Sequence, residues 1–265
     1  MPVSVVVAFE SAGGRVAPLG HQLHGWLLNC VSRIDATLSD RLHKQDRAKP
    51  FSVMSVESPH GQPRWQATAR VTSLDEEFGR VLVNLDRRDL EYERLGDCRV
   101  RVSDISSSTL DHPLARAESY EAMAAKAARG ATTDTIALDF LTPTAFASEN
   151  RTVTLFPHPH LVFRSLAGKW NRYAPAHLLI DGGLIDELGI STRVTAYDLR
   201  TCGTHFGGRR SIGFVGRGEF GWSPDGNKDV WSVAHLLADF ALYAGVGQKT
   251  TMGMGQTVRR LEPWV

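Results

Sequence analysis

A glycine-rich segment near the C-terminus carries residue types suited to binding a polyanion. Between Gly245 and Gly255, four glycines surround Lys249 and two threonines, in the order Gly-Val-Gly-Gln-Lys-Thr-Thr-Met-Gly-Met-Gly. Glycine permits positive φ angles, so successive backbone amides can form a concave anion site. The segment predicts a phosphate-contacting loop made of Lys249 and the glycines Gly245, Gly247, Gly253 and Gly255. A helix cap at Gly245 followed by a plain turn is the alternative.

The order of elements around this segment argues against a nucleotide site. An apolar helix is expected before it, over 230–243, and a strand after it, over 256–261. A P-loop and a dinucleotide-binding turn both connect a strand to the start of a helix, which is the reverse order. In addition, Gln248 separates Gly247 from Lys249, which a P-loop does not allow. The expected ligand is therefore a polyanion other than a nucleotide.

A second set of residues has the chemistry for proton transfer. His43 and Lys49 lie six positions apart in a polar segment, 39–49, that is expected to be a loop between a helix and a strand. Histidine titrates near neutral pH, and a fixed positive charge stabilises the transition state of phosphoryl chemistry. His24 lies at the edge of the apolar stripe of the first helix, where it would be half-buried. A polar histidine without a chemical role is the alternative for each.

No spacing in the chain is typical of a metal site or a disulfide framework. The three cysteines, Cys30, Cys98 and Cys202, lie far apart, and His158 and His160 alternate with prolines and lack nearby carboxylates. We therefore expect no metal and no cofactor. The N-terminus lacks the pattern of a signal peptide, so a cytoplasmic location is expected.

The composition is that of a soluble globular protein, with 42% hydrophobic and 22% charged residues in a chain of 265. No apolar run approaches the roughly 20 residues that span a membrane. The net charge of +1 is low for a dedicated nucleic-acid module. A local basic face can still exist in such a protein, and Arg209 and Arg210 are candidates for further phosphate contacts.

The positions of the apolar residues predict an α+β fold made of two similar halves. The first half has expected strands over 2–9, 51–57, 65–73, 80–85 and 98–105, with helices over 19–34 and 89–95. The second half has expected strands over 135–140, 191–201, 210–222 and 256–261, with helices over 159–170, 176–188 and 230–243. Both orders are those of a ferredoxin-like unit. We expect one such domain over 1–112, a linking helix over 113–130 and a second domain over 131–265.

Four stretches of the chain, in their order and spacing, are similar to one known family. They are His21–Asn29, Leu42–Ser52, Phe140–Asn171, and Ile212–Gly216 with the glycine-rich segment. On these residues the chain resembles the CRISPR-associated repeat-processing endoribonucleases, the Cas-six family of RAMP proteins. The family has two tandem ferredoxin-like (RRM-like) domains, and the resemblance implies an RNA-binding cleft between them.

The resemblance also implies a function. Such proteins are metal-independent endoribonucleases that cleave CRISPR precursor transcripts within the repeats to give mature crRNAs. The ribose 2′-hydroxyl attacks the adjacent phosphorus and leaves 2′,3′-cyclic phosphate and 5′-hydroxyl ends. The implied partners are repeat RNA and proteins of a CRISPR effector complex, while formation of a homodimer stays open. The glycine-rich loop would contact the RNA backbone, with Lys249 as its main side chain.

In family members with a histidine, lysine and tyrosine set, the first two correspond to His43 and Lys49. The tyrosine corresponds to Leu28, which cannot transfer a proton. His24 lies one helical turn before Leu28, so it is the expected substitute, with His43 as its acid–base partner. Which of the two histidines acts as the base stays open. Two alternatives for the function also stay open: a RAMP subunit that binds crRNA without cutting it, and a ferredoxin-like protein that binds a small phosphate-bearing molecule.

Overall fold

The computed structural model describes residues 1–11, 20–45, 48–57, 65–90, 92–96, 98–129, 133–147, 152–206, 209–222 and 227–260. The chain divides into two compact units. The first unit consists of Met1–Ala117, His205–Arg209 and Thr251–Gly253, and the second of Glu118–Thr204, Arg210–Thr250 and Met254–Val265. Within the described ranges, no helix has the length and apolar character needed to cross a membrane.

The first unit is an antiparallel sheet with helices on one face. Its elements are β1 Val3–Ser11, α1 Gly20–Ile34, α2 Ala36–Lys44, β2 Phe51–Glu57, β3 Trp65–Ser73, α3 Glu76–Val83, β4 Tyr92–Leu95, β5 Cys98–Ser106 and β6 Arg116–Ala117. The strand order is β2-β3-β1-β5-β4, and β6 also pairs with β1. Without the edge strands β4 and β6, this is the order of a ferredoxin-like sheet, with β5 as its fourth strand.

The core of this unit lies between the sheet and the three helices. Val5 and Phe9 on one face of β1 are fully buried in the hydrophobic cluster, and Ser4 and Val6 on the opposite face are buried as well. Leu23 and Leu27 of α1 are one turn apart and lie in the same hydrophobic cluster. Burial of each such side chain contributes about 1.5–3 kcal/mol. The predicted helix over 19–34 is thereby confirmed.

Two predictions in this unit are wrong. The expected strand over 80–85 is part of helix α3, because the Asp75 carboxylate accepts a hydrogen bond from the Phe78 amide and caps the helix. Phe78 and Leu82 then lie one turn apart on the buried face. The expected helix over 89–95 is a 3₁₀ turn, Arg87–Leu90, followed by β4.

The polar segment over 39–49 is also not a simple loop. Its first part belongs to helix α2, which begins after Asp35, whose carboxylate accepts a hydrogen bond from the Leu38 amide at 2.9 Å. Leu38 and Leu42 are buried on one face of this helix. His43 therefore lies in the last turn of a helix and has a defined backbone.

The second unit repeats the same arrangement. Its elements are α4 Tyr120–Ala128, β7 Thr135–Thr144, β8 Phe146–Ala147, β9 Val153–Thr154, α5 Pro159–Tyr173, α6 Gly182–Ser191, β10 Thr192–Phe206, β11 Arg209–Trp222, α7 Lys228–Ala244 and β12 Thr257–Arg260. The sheet order is β10-β11-β7-β12, with β7 antiparallel to β11 and β12. Both halves are ferredoxin-like, as the order of elements predicted.

Candidate functional site

His24 lies in the first unit, on α1, next to a piece of the glycine-rich segment. Its Nδ1 is 3.0 Å from the carbonyl oxygen of Thr251. Its ring also packs on Phe51, with 5.4 Å between the ring centroids. Gly20, at the start of α1, lies so close to Met252 that a Cβ there would overlap the Met252 carbonyl. The short piece Thr251–Gly253 is thus held against α1, and His24 is clamped between it and β2.

The contact with Thr251 assigns the tautomer of His24. A carbonyl oxygen can only accept, so Nδ1 must carry the hydrogen and donate it. In the neutral ring this leaves the basic lone pair on Nε2. Burial lowers the pKa of His24 below its ordinary value near 6.5, the hydrogen bond to Thr251 opposes this, and the positive charges of Lys49 and His43 lower the pKa further. At neutral pH His24 is therefore a neutral base.

The structure brings His43 and Lys49 into the electrostatic environment of His24. The Lys49 ammonium donates hydrogen bonds to the carbonyl oxygens of Leu42, at 2.5 Å, and His43, at 2.7 Å. These are carbonyls of the last turn of α2, which have no partner within the helix. Lys49 thus stabilises the end of α2 that carries His43, a role that its sequence position did not predict. The His43 side chain is exposed.

Leu28 takes no part in this polar cluster. Its side chain is half-buried and packs against the hydrophobic core, and its carbonyl oxygen accepts a hydrogen bond from Ser39 Oγ at 2.9 Å. Among the described side chains, no group of three or more His, Cys, Asp or Glu residues is arranged to hold a metal ion.

The glycines of the C-terminal segment adopt backbone conformations that other residues rarely adopt. Gly245, Gly247, Gly253 and Gly255 all have positive φ, from +63° to +92°. At Gly247 a Cβ would overlap the Ala145 carbonyl, and at Gly255 it would overlap the Val246 carbonyl. A larger residue at either position would force the backbone to move.

Most amides of this loop already have protein acceptors, which corrects the prediction of an amide-lined anion site. Gly245 N donates to Ala241 O, Val246 N to Gly255 O, Gly247 N to Ser165 Oγ, Gln248 N to Ala145 O and Gly255 N to Pro143 O, over 2.7–3.0 Å. A hydrogen already bound in this way is not presented to a phosphate. An anion at this loop would therefore have to be contacted by side chains.

Lys249 is the exposed cation of the loop. It also has positive φ, +56°, and its ammonium is 2.8 Å from Ser211 Oγ of β11. Arg210, exposed on the same strand, packs over the backbone of Gly203 in β10. Arg209 is the first residue of β11, and its side chain lies outside the described part of the structure. Lys249 and Arg210 both belong to the second unit.

Comparison with known proteins shows which proteins this chain is similar to. The family model of the CRISPR-associated endoribonuclease Cas6 matches residues 138–257. The Cas6 endoribonuclease of Streptococcus thermophilus is 25% identical over 95% of both chains, and that of Mycobacterium tuberculosis (strain CDC 1551 / Oshkosh) is 29% identical over 91% of this chain and 71% of its own.

Solved structures agree with these relatives. A Cas6 product complex has a TM-score of 0.82 and 27% identity, covering 98% of this chain and 100% of its own. Thermus thermophilus Cas6 has a TM-score of 0.77 and 25% identity, covering 98% of each chain. Similarity therefore extends through both units, including the α1 and α2 segments that lie outside the family-model match. Over nearly its whole length, the chain is thus similar to the CRISPR-associated endoribonucleases named Cas6.

Proposed function

We propose that this protein is a metal-independent endoribonuclease that cuts CRISPR precursor transcripts within the repeats to give mature crRNAs. The observation that carries the proposal is the environment of His24: its Nδ1 is bound to the Thr251 carbonyl, and His43 and Lys49 act on its charge. A neutral imidazole whose pKa is lowered by the charges of a second histidine and a lysine offers, together with them, the groups that phosphodiester transfer needs.

The proposed reaction is an attack within the RNA strand. His24 Nε2 takes the proton of the ribose 2′-hydroxyl, and the 2′-oxygen forms a bond to the adjacent phosphorus. The bond from phosphorus to the 5′-oxygen breaks, and protonated His43 gives its proton to that oxygen. Lys49 stabilises the negative charge on the nonbridging oxygens. The products are a 2′,3′-cyclic phosphate and a 5′-hydroxyl, with the proton moved from the attacking to the leaving oxygen.

The test is cleavage of a repeat RNA in EDTA, followed by analysis of the product ends. We expect cutting at one position per repeat and a 3′ end that blocks ligation until the cyclic phosphate is opened. Cutting that requires added Mg²⁺ would contradict the mechanism. Tight binding without cutting would favour a crRNA-binding RAMP subunit, the alternative that Leu28 supports. Absence of both would favour a protein that binds a small phosphate-bearing molecule.

The pH dependence of cleavage should report His24. Because burial lowers the pKa of this base, we expect the acid limb of kcat/KM to fall below pH 6.5, the ordinary histidine value. A base acts when deprotonated, so activity is present above the pKa of the folded protein and is lost as pH falls through it. The measurement is a rate profile in EDTA with protein below saturation. An acid limb above 6.5 that also persists in His24→Ala would contradict the assignment.

Lys249→Ala should weaken RNA binding more than it slows the cut of bound RNA. The lysine lies outside the unit that contains His24, and we assign it one phosphate contact. Loss of that contact should raise Kd and reduce the slope of log K against log salt by about 0.7 for a single strand. Filter binding over a salt series measures both. Lys228→Ala, which removes an exposed lysine of the same unit, is the matched control, and equal slopes for the two variants would argue against the contact.

A further inference from the structure

Helix α5 directs two polar side chains at the glycine-rich loop. Lys169 lies near the end of this helix, and its ammonium donates to the carbonyl oxygens of Ala244, at 2.8 Å, and Gly245, at 3.0 Å. Thr250 Oγ1 is 3.5 Å from the same nitrogen. Ser165, one helical turn earlier, accepts a hydrogen bond from the Gly247 amide at 2.9 Å. Residues four apart share a helix face, so both belong to one surface of α5.

The acceptors of Lys169 lie at both ends of one stretch of backbone. Ala244 is the last residue of α7 and Gly245 is its cap, so their carbonyls lack partners within the helix and attract a cation. Thr250 begins the 3₁₀ turn that follows Lys249. One ammonium therefore joins the start of the loop to its far end, while Ser165 holds its middle.

The hydrogen bonds of Lys169 connect helix α5 to the glycine-rich loop and to the adjoining end of α7. The described hydrogen-bond acceptors of Lys169 are two carbonyls at the end of α7, of Ala244 and its cap Gly245, and the Thr250 hydroxyl, and none is a carboxylate. Burial lowers the pKa of Lys169 to about 7, because removal from water disfavours the charged form. An ordinary solvated lysine does not have this desolvation cost. The contacts with the loop are what offset it.

We propose that Lys169 and Ser165 are positioning residues that hold residues 245–250 in the conformation that presents Lys249 to an RNA phosphate. The inference rests on the proposed function and extends it, because it assigns the affinity for repeat RNA partly to residues of α5 that do not themselves contact RNA. The proposal also accounts for the hydrogen bonds between the loop amides and protein acceptors. These bonds hold the backbone in one conformation, and the Lys249 ammonium is the group that binds the phosphate.

The first test is Lys169→Met in the full chain, which keeps the length of the side chain and removes its donors. We expect the Kd for repeat RNA to rise about tenfold, a change of the size that one ordered charged contact produces. Lys169→Arg retains a cation and should recover part of the affinity. Lys126→Met is the matched control, because Lys126 is a lysine of the same unit whose ammonium donates to Asp239. Equal Kd values for wild type and Lys169→Met would overturn the proposal.

A double-mutant cycle separates positioning from general stability. If Lys169 acts through Lys249, the variant with both Lys169→Met and Lys249→Ala should bind RNA no more weakly than the weaker single variant. Independent effects that multiply would overturn the inference, whatever the melting temperature of each variant.

Amide hydrogen exchange tests whether Lys169 anchors the loop, independently of whether the protein binds RNA. Exchange over 245–250 should be faster in Lys169→Met than in Lys126→Met, with no RNA present. Unchanged exchange would show that Lys169 does not hold the loop. If the loop loosens as expected but the wild-type protein neither binds nor cuts repeat RNA, the proposed function fails and the link of the loop to RNA fails with it, while the anchoring contact stands.

Discussion

Replacing His24 by alanine should slow cleavage of bound repeat RNA by about 10²–10⁴-fold, the range that general acid–base catalysis supplies. The Nε2 lone pair is the proposed acceptor of the 2′-hydroxyl proton, and alanine offers no replacement. We expect little change in RNA affinity, because His24 is assigned a proton transfer and no phosphate contact. Single-turnover cleavage at saturating protein, with Kd measured separately, distinguishes the two effects.

A second variant separates the chemistry of His24 from its contacts. His24→Asn retains an N–H group that can donate to the Thr251 carbonyl but has no basic nitrogen. It should be as slow as His24→Ala if proton transfer is the role of this residue. Recovery of the wild-type rate in His24→Asn would reduce His24 to a structural contact. His21→Ala, on the same helix, is the matched control and should cleave normally.

Replacing His43 by alanine should also cost about 10²–10⁴-fold in the rate of the bound-state cut, because the leaving 5′-oxygen would depart without a proton. The substitution leaves the His43 carbonyl in place, so the hydrogen bond from Lys49 that holds the end of α2 is retained. Lys44→Ala, the next residue on the same helix, controls for changes in α2 and should have a normal rate.

The variant with both histidines replaced gives a stricter test. Groups that act as a unit in one step have strongly non-additive effects, so the double variant should be about as slow as the slower single variant. A rate reduced by the product of the two effects would mean that the histidines act in separate steps. Unchanged cleavage in His43→Ala would eliminate it as the acid, whatever the result for His24.

A structural prediction from the sequence succeeded where the contacts that decide the conformation are local in the chain, and failed where they are not. Helix α1 was predictable because its buried residues recur within 15 residues of chain. Helix α3 was mistaken for a strand because Val81, Leu82 and Val83 form an apolar run of mostly β-branched residues, while the cap at Asp75 and the packing of Phe78 decide its conformation. Helix α2 was missed because Leu38 and Leu42 are its only buried hydrophobic residues.

The glycine-rich loop illustrates the same division. Four glycines in eleven residues predicted a backbone with positive φ, and that is what the loop has. The hydrogen-bond acceptors of the loop amides were not predictable, because residues such as Ala145 and Ser165 lie at distant positions in the chain. The role of Lys169 had no sequence signal for the same reason, since it lies on an ordinary amphipathic helix about 80 residues before its partners.

The sequence by itself predicted the two ferredoxin-like halves, the similarity to the Cas6 endoribonucleases, and the candidate residues His24, His43, Lys49 and Lys249. Those properties depend on local periodicity and on residue spacing, which the chain records directly. Only the tertiary structure decided which atoms of these residues are in contact and how those contacts affect their protonation. Thr251 lies 227 residues from His24, yet its carbonyl assigns the protonated nitrogen of that ring. A tautomer depends on a contact a few ångströms long, and contacts of that kind form only when the chain folds.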